Sequence, residues 1–132
     1  MDELPFAATR PISVAQVGLK ARNAKTLADY YSSIVGHVHL RVGDPSTAED
    51  WWHSTLGFDT AAKYGAQAVF LSTGGYHHHI GANAWQSAGA GQRDKGRSGL
   101  SWVELRSSDA AGPAKYEDPW GTDIRVVPGK PA

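Results

Sequence analysis

The sequence predicts an α+β fold in which short strands outnumber helices and surround a pocket, and three observations carry that expectation. Apolar and polar residues alternate over several short stretches, whereas two stretches repeat at helical spacing, both in the first half of the chain. Fifteen glycines and seven prolines punctuate the chain with turns, and five tryptophans supply aromatic bulk, a composition that suits strands around a hollow better than a helical bundle. With 41% of its 132 residues apolar, a single domain over residues 1–132 can bury a core.

Residues 1–11 read as a lead-in. A strand follows from Ile12 to Ala21, with Val17 and Leu19 facing one way and Gln16, Gly18 and Lys20 the other. Asn23 caps a first helix, whose Leu27, Tyr30 and Tyr31 fall at i, i+3, i+4 spacing. Residues 34–42 form the next strand, Val38, Leu40 and Val42 alternating with His37 and His39. Asp44 then caps a second helix with Pro45 in its first turn, and Glu49 and Asp50 favour the positive end of its dipole. Ala48, Trp51, Trp52, Thr55 and Leu56 make its apolar stripe, and Gly57 ends it. Residues 16–21 align with 37–42, and 27–31 with 48–52, as a weak internal repeat in which Gln16 takes the place of His37.

Strands are expected at 58–62, 67–72 and 76–85, parted by turns at Tyr64-Gly65 and Gly74-Gly75. Residues 86–98 are polar and glycine-rich and read as a surface loop. A strand over 100–105, a turn over 109–113, a segment 114–118, a turn at Pro119-Trp120-Gly121-Thr122 and a last strand over 123–127 complete the chain without another helix.

Five of the six histidines lie in two runs, Gly36-His37-Val38-His39-Leu40 and Tyr76-His77-His78-His79-Ile80-Gly81. On strands, His37 and His39 share one face, and His77 and His79 share a face that His78 does not. Neutral imidazoles converging on one point are what a divalent transition metal requires. His53 lies on the second helix and reads as a surface residue; its neighbour Ser54 does not face it, so the two are not a nucleophile pair.

Other chemistries are excluded by what the chain lacks. There is no cysteine, hence no disulfide, zinc-thiolate site or thiol nucleophile. Thirteen basic against thirteen acidic residues leave no excess charge to attract nucleic acid or an anionic membrane. No Gly-Lys-Ser/Thr phosphate loop, Gly-x-Ser-x-Gly elbow or His-Glu-x-x-His helix occurs. The amino terminus lacks a secretory pattern and no stretch approaches ~18 apolar residues, so a cytoplasmic location is expected.

The runs Ile34-Val35-Gly36-His37-Val38-His39-Leu40-Arg41-Val42-Gly43-Asp44, Phe70-Leu71-Ser72-Thr73-Gly74-Gly75-Tyr76-His77-His78-His79-Ile80-Gly81-Ala82-Asn83-Ala84-Trp85 and Glu117-Asp118-Pro119-Trp120-Gly121 resemble the glyoxalase, bleomycin-resistance and extradiol-dioxygenase superfamily, also called the vicinal oxygen chelate superfamily. The resemblance lies with its catechol 2,3-dioxygenase-like branch. It implies paired βαβββ modules whose curled mixed sheets form a pocket around a metal. One module is complete over 34–86, and the other is split or shortened, assembled from 12–31 and 99–128. Fragments that leave sheet edges uncovered imply a homodimer, domain-swapped if the halves are exchanged between chains.

The same resemblance implies a divalent ion, iron or manganese first and zinc or nickel as alternatives, and a small aromatic or vicinal-diol ligand. Extradiol members draw one histidine from an opening strand, which matches His37, but their second histidine falls at Trp102 and their glutamate at Arg125. The glyoxalase arrangement would instead pair His37 with the region of His77 to His79. The expected ligands are therefore His37 and His79, with His39, His77 and Glu104 as candidates for the remaining positions, Glu104 sharing the strand face of Trp102. His77 and Tyr76 are the expected proton-moving groups. A metal enzyme opening catechol-type diols is one reading; the alternatives are a non-catalytic binder of small aromatic molecules, as in antibiotic-sequestering relatives, and a shortened module that has lost dioxygenase activity.

Overall fold

A computed structural model describes residues 12–20, 37–96 and 99–129, with residues 12–20 and 99 described by backbone alone. The helix expected after Asn23 and the strand start at 34–36 lie outside the described residues. The elements in chain order are β1 (Ile12–Lys20), β2 (Val38–Arg41), α1 (Pro45–Leu56), β3 (Asp59–Tyr64), β4 (Ala68–Ser72), β5 (Ile80–Asn83), β6 (Gly99–Ser107), β7 (Ala114–Glu117) and β8 (Asp123–Pro128). The fold is α+β, with mixed sheets and, among the described residues, no closed barrel.

The first sheet has the order β2-β5-β4-β3. β2 runs parallel to β5, while β4 is antiparallel to both of its neighbours, as one βαβββ unit requires when a helix carries the chain from β2 across to β3. In the second sheet the order is β1-β6-β8-β7, with β6 parallel to β8 and with β1 and β7 antiparallel to the strands beside them. The strand, helix and three strands from Val38 to Asn83 thus run uninterrupted, and β6, β8 and β7 repeat the parallel-then-antiparallel pattern of β2, β5 and β4.

Local chemistry sets the ends of α1. Asp44 is extended at the N-cap and its carboxylate accepts from the N–H groups of Ser46 and Thr47, at 3.4 and 3.2 Å. Gly57, at φ 71°, reverses the chain, and its N–H donates to the His53 carbonyl at 3.0 Å. Glu49 serves a purpose other than the expected dipole pairing: it receives a hydrogen bond from Thr60 (2.6 Å) and an ion pair from Lys63 (2.9 Å), tying the helix to β3. His53 is exposed, as expected, and its Nδ1 lies 3.1 Å from the Phe58 carbonyl oxygen.

The buried side of α1 carries Ala48, Trp52 and Leu56, which enter one core with Leu40, Phe58, Val69, Leu71, Ile80 and Ala82. Val103, Leu105, Ile124 and Val126 of the second sheet belong to the same core. Every second residue on the central strands points into it. Their neighbours, His39 and Arg41 on β2, Gly81 and Asn83 on β5, and Phe70 on β4, therefore lie on the opposite face of the first sheet.

Of the loop expected over 86–98, the described residues 86–96 form a strap between the sheets. Ser87 Oγ donates to the Val42 carbonyl (2.8 Å) and Gly89 N–H to that of Gly43 (2.8 Å). Trp120 Nε1 donates to Ala90 O at 3.0 Å, Gln92 Nε2 to Pro119 O at 2.7 Å and Arg93 N–H to Trp120 O at 3.0 Å. Gly43 has to be glycine, since a Cβ would collide with both the Ala90 carbonyl oxygen and the Trp120 indole nitrogen. Among the described residues no helix is long and apolar enough to cross a membrane.

Candidate metal centre

β2 brings two imidazoles to the edge of the first sheet. Leu40 is buried in the core, so His39 projects from the other face, and His37 stands just before the strand, both rings exposed. A third imidazole arrives from the approach to β5. Gly74 and Gly75, at φ 63° and 76°, turn the chain after β4, and residues 76–79 pass without strand geometry before β5 starts at Ile80. Alternation therefore does not govern this segment, and His78 swings to the side of His37 and His39.

One ligand nitrogen from each of His37, His39 and His78 can be chosen so that all lie within 4.8 Å of one another. Ring centroids are 4.3 Å apart for His37 and His78, 5.1 Å for His37 and His39, and 5.5 Å for His39 and His78. Phe70, half-buried on β4, flanks the trio at 5.1 Å from His78 and 6.0 Å from His39.

The trio passes a test of fit to a metal on its own chemistry. His78 Nε2 is buried and has no hydrogen-bond partner, an arrangement that costs free energy unless a lone pair or N–H finds a counterpart. Three nitrogens bound to one ion at about 2.1 Å stand roughly 3.0–3.6 Å apart, so the rings have to close by about 1–2 Å, a movement open to the exposed side chains of His37 and His39. Burial, and after it the neighbouring imidazoles, holds His39 and His78 below the ordinary histidine range, which favours the neutral ligand form.

Those lowered values set a pH dependence. Well above pH 6.5 the His39 and His78 imidazoles are neutral in both the folded and unfolded chain, and the linkage vanishes. As pH falls below that value the unfolded chain takes up protons that the native cluster resists, so native stability declines. The thermal midpoint of the metal-free protein is expected to drop between about pH 7 and 5, and to drop less in a His39→Ala/His78→Ala double variant. Equal slopes in the two proteins would refute this assignment.

His79, expected as a firm ligand, is not in the cluster. It is buried, its ring stacks on Tyr76 at 4.5 Å and faces Phe58 at 6.2 Å, and the Thr73 N–H donates to its Nδ1 at 3.4 Å. Its backbone joins β4 to β2, the N–H donating to Leu71 O and the carbonyl accepting from Val38, both at 2.9 Å. His77 lies beside the trio, its ring 4.8 Å from His78 and 6.1 Å from His37, with Tyr76 4.2 Å from it. Glu104 is on the second sheet, in register with Arg125 and outside the histidine group. Arg125 itself lies over the Trp102 ring at 4.1 Å, so the two positions where the family resemblance places ligands hold a cation–π pair. His78 is the residue that strand alternation misses, and the Gly74-Gly75 pair ahead of it is the signal that alternation had been interrupted.

A strand, a helix and three strands, with imidazoles gathered where the opening strand meets the approach to the closing one, define a class. The chain belongs to the Glyoxalase/Bleomycin resistance protein/Dioxygenase superfamily, whose family model matches residues 34–112. Over 74 residues, 55% of this chain, it is 44% identical to the catechol-2,3-dioxygenase of Bacillus subtilis (strain 168). The match spans 26% of that relative, about a quarter of its length.

Proposed function

We propose that the chain binds one divalent metal ion through His37, His39 and His78 and presents it to the paired oxygens of a small aromatic diol. The observation that carries this reading is the gathering of three imidazole nitrogens within 4.8 Å, on rings that include His78, whose Nε2 is buried without a partner. Such an ion supplies Lewis acidity and a template for oxygen ligands when bound. The chain's own residues do the rest. Phe70 offers an aromatic surface beside the trio, and the imidazole of His77 can accept a proton from a ligand hydroxyl, with the Tyr76 phenol beside it.

The donor set bears on which ion is preferred. Iron-dependent oxygenases use two histidines and a carboxylate, and manganese favours oxygen donors, whereas three imidazoles without a carboxylate suit nickel, zinc or copper. The preferred ion therefore moves from the iron or manganese expected at first towards these borderline metals. Ring opening of a catechol stands as the activity to seek under iron loading.

Metal titration of untagged protein is expected to give one equivalent of bound nickel or zinc. His37→Ala, His39→Ala and His78→Ala should each weaken it by more than the ~10–100-fold typical of losing an outer-shell partner. His79→Ala, once shown to be folded, should retain it. Equal binding by the three ligand variants and the parent protein would overturn the proposal.

The Trp102–Arg125 pair favours a second reading, a non-catalytic binder of small aromatic molecules. Catechol binding that survives metal chelation and is lost in Trp102→Ala would select it.

A further inference from the structure

We infer that Gly81 is a positioning residue, the one residue of β5 whose lack of a side chain lets the His39 imidazole reach the metal-binding cluster. The inference rests on the three-histidine reading above and adds to it a residue that touches no metal.

Gly81 lies opposite His39 across the parallel pair β2–β5 and opposite Phe70 across the antiparallel pair β4–β5. His39, Gly81 and Phe70 thus form a row across three strands on the face away from the core. A Cβ on Gly81 would fall 2.8 Å from His39 Nδ1, 2.9 Å from Cε1 and 3.1 Å from Cγ. Nδ1, Cε1 and Cγ form one continuous edge of the ring, the first two in collision and Cγ, next to the main chain, in tight contact, so a shift of the ring tip alone does not relieve the overlap. The imidazole lies over the Gly81 backbone and would have to rotate away as a unit.

Backbone strain does not explain the glycine, because Gly81 is not among the residues at positive φ. Glycine inside a strand ordinarily weakens it, and close approach of another group is one of the few reasons for it to stand there. Here the approaching group is a ligand side chain. His39 is exposed, so a ring displaced by a methyl group can move into solvent without disturbing the core. The expected signature of Gly81→Ala is therefore a defect in metal binding without a defect in folding.

The test uses the full chain, with nickel or zinc alone as the probe. Gly81→Ala should keep the thermal midpoint of the metal-free protein, shift the His39 ring resonances in a histidine-selective NMR spectrum, and weaken metal binding about 10–100-fold, as loss of an orienting partner does. In a His39→Ala background the same substitution should produce no further loss, since the ring it displaces is already gone. Metal affinity of Gly81→Ala within twofold of the parent protein, while His37→Ala and His78→Ala lose the metal, would overturn the inference and leave the three-histidine site standing. Retention of metal by those two ligand variants would instead sink the site itself. Should Gly81→Ala fail to fold, His39→Ala/Gly81→Ala is expected to fold, and its failure would show that the glycine serves the sheet rather than the imidazole.

Discussion

Trp120→Ala is expected to destabilise the protein by about 3–5 kcal/mol, the usual cost of removing a buried aromatic ring, out of roughly 5–15 kcal/mol that holds a domain together. Trp120 is only 7% exposed and belongs to the core shared by the two sheets. It also anchors the strap, its indole N–H donating to Ala90 and its carbonyl accepting from Arg93, each at 3.0 Å. Asp118 fixes the turn that carries it, one carboxylate oxygen accepting from the N–H groups of Trp120 and Thr122 at 3.0 and 2.7 Å. Alanine at 120 would open a cavity and strand the Ala90 carbonyl, so residues near 90 should gain hydrogen exchange beyond the global loss. Trp120→Phe retains most of the ring and should cost only about 1–3 kcal/mol, the price of one unsatisfied acceptor. Chemical denaturation of both variants is the check: equal losses would refute the role given to the buried ring, and a Trp120→Phe variant as stable as the parent would refute the role given to the indole N–H.

A loss of similar size, about 3–5 kcal/mol, is expected for Trp52→Ala. Trp52 is 1% exposed on the inner side of α1, with Phe58 edge-on at 4.9 Å and Trp51 at 5.2 Å. Phe58 in turn faces His79, so Trp52 lies beneath the segment that delivers His78. Trp51, half-buried on the same helix, is the control: its alanine variant should cost well under half as much, because part of its surface already meets water. Comparable losses from the two tryptophans would contradict the assignment of Trp52 to the core.

Much of the first sheet is legible in the sequence because its signals are local. Asp44-Pro45 and Gly57 bracket α1, and the glycines at 65, 74 and 75 all occupy left-handed turns where only glycine is comfortable. His37 and His39 are legible as neighbours because Val38, Leu40 and Val42 fix the strand period around them. The third imidazole is hidden for the same local reason. A run of three histidines has no apolar phase, so extending the strand back to Tyr76 looks consistent and selects His79, whereas β5 begins only at Ile80. Two left-handed glycines reorient the chain between, and burial against Tyr76 and Phe58 then claims His79.

Long-range pairings are where sequence reading stops. Nothing in Gln86 to Arg93 announces that this polar stretch will be held by the Trp120 turn, because the hydrogen bonds that hold it there join residues far apart along the chain. Glu104 and Arg125 stand side by side only once β6 and β8 pair in parallel. Gly81 likewise reads as an ordinary strand glycine until β2 is laid beside β5 and the His39 ring covers it.

The most direct test of the three-histidine centre is an anomalous-difference map from crystals of untagged protein loaded with one equivalent of nickel or zinc, recorded at that metal's absorption edge. One peak bounded by the imidazoles of His37, His39 and His78, with His79 still packed against Tyr76 and Phe58, is the predicted result. A peak ligated by His79 or Glu104, or no peak among the histidines, would contradict it.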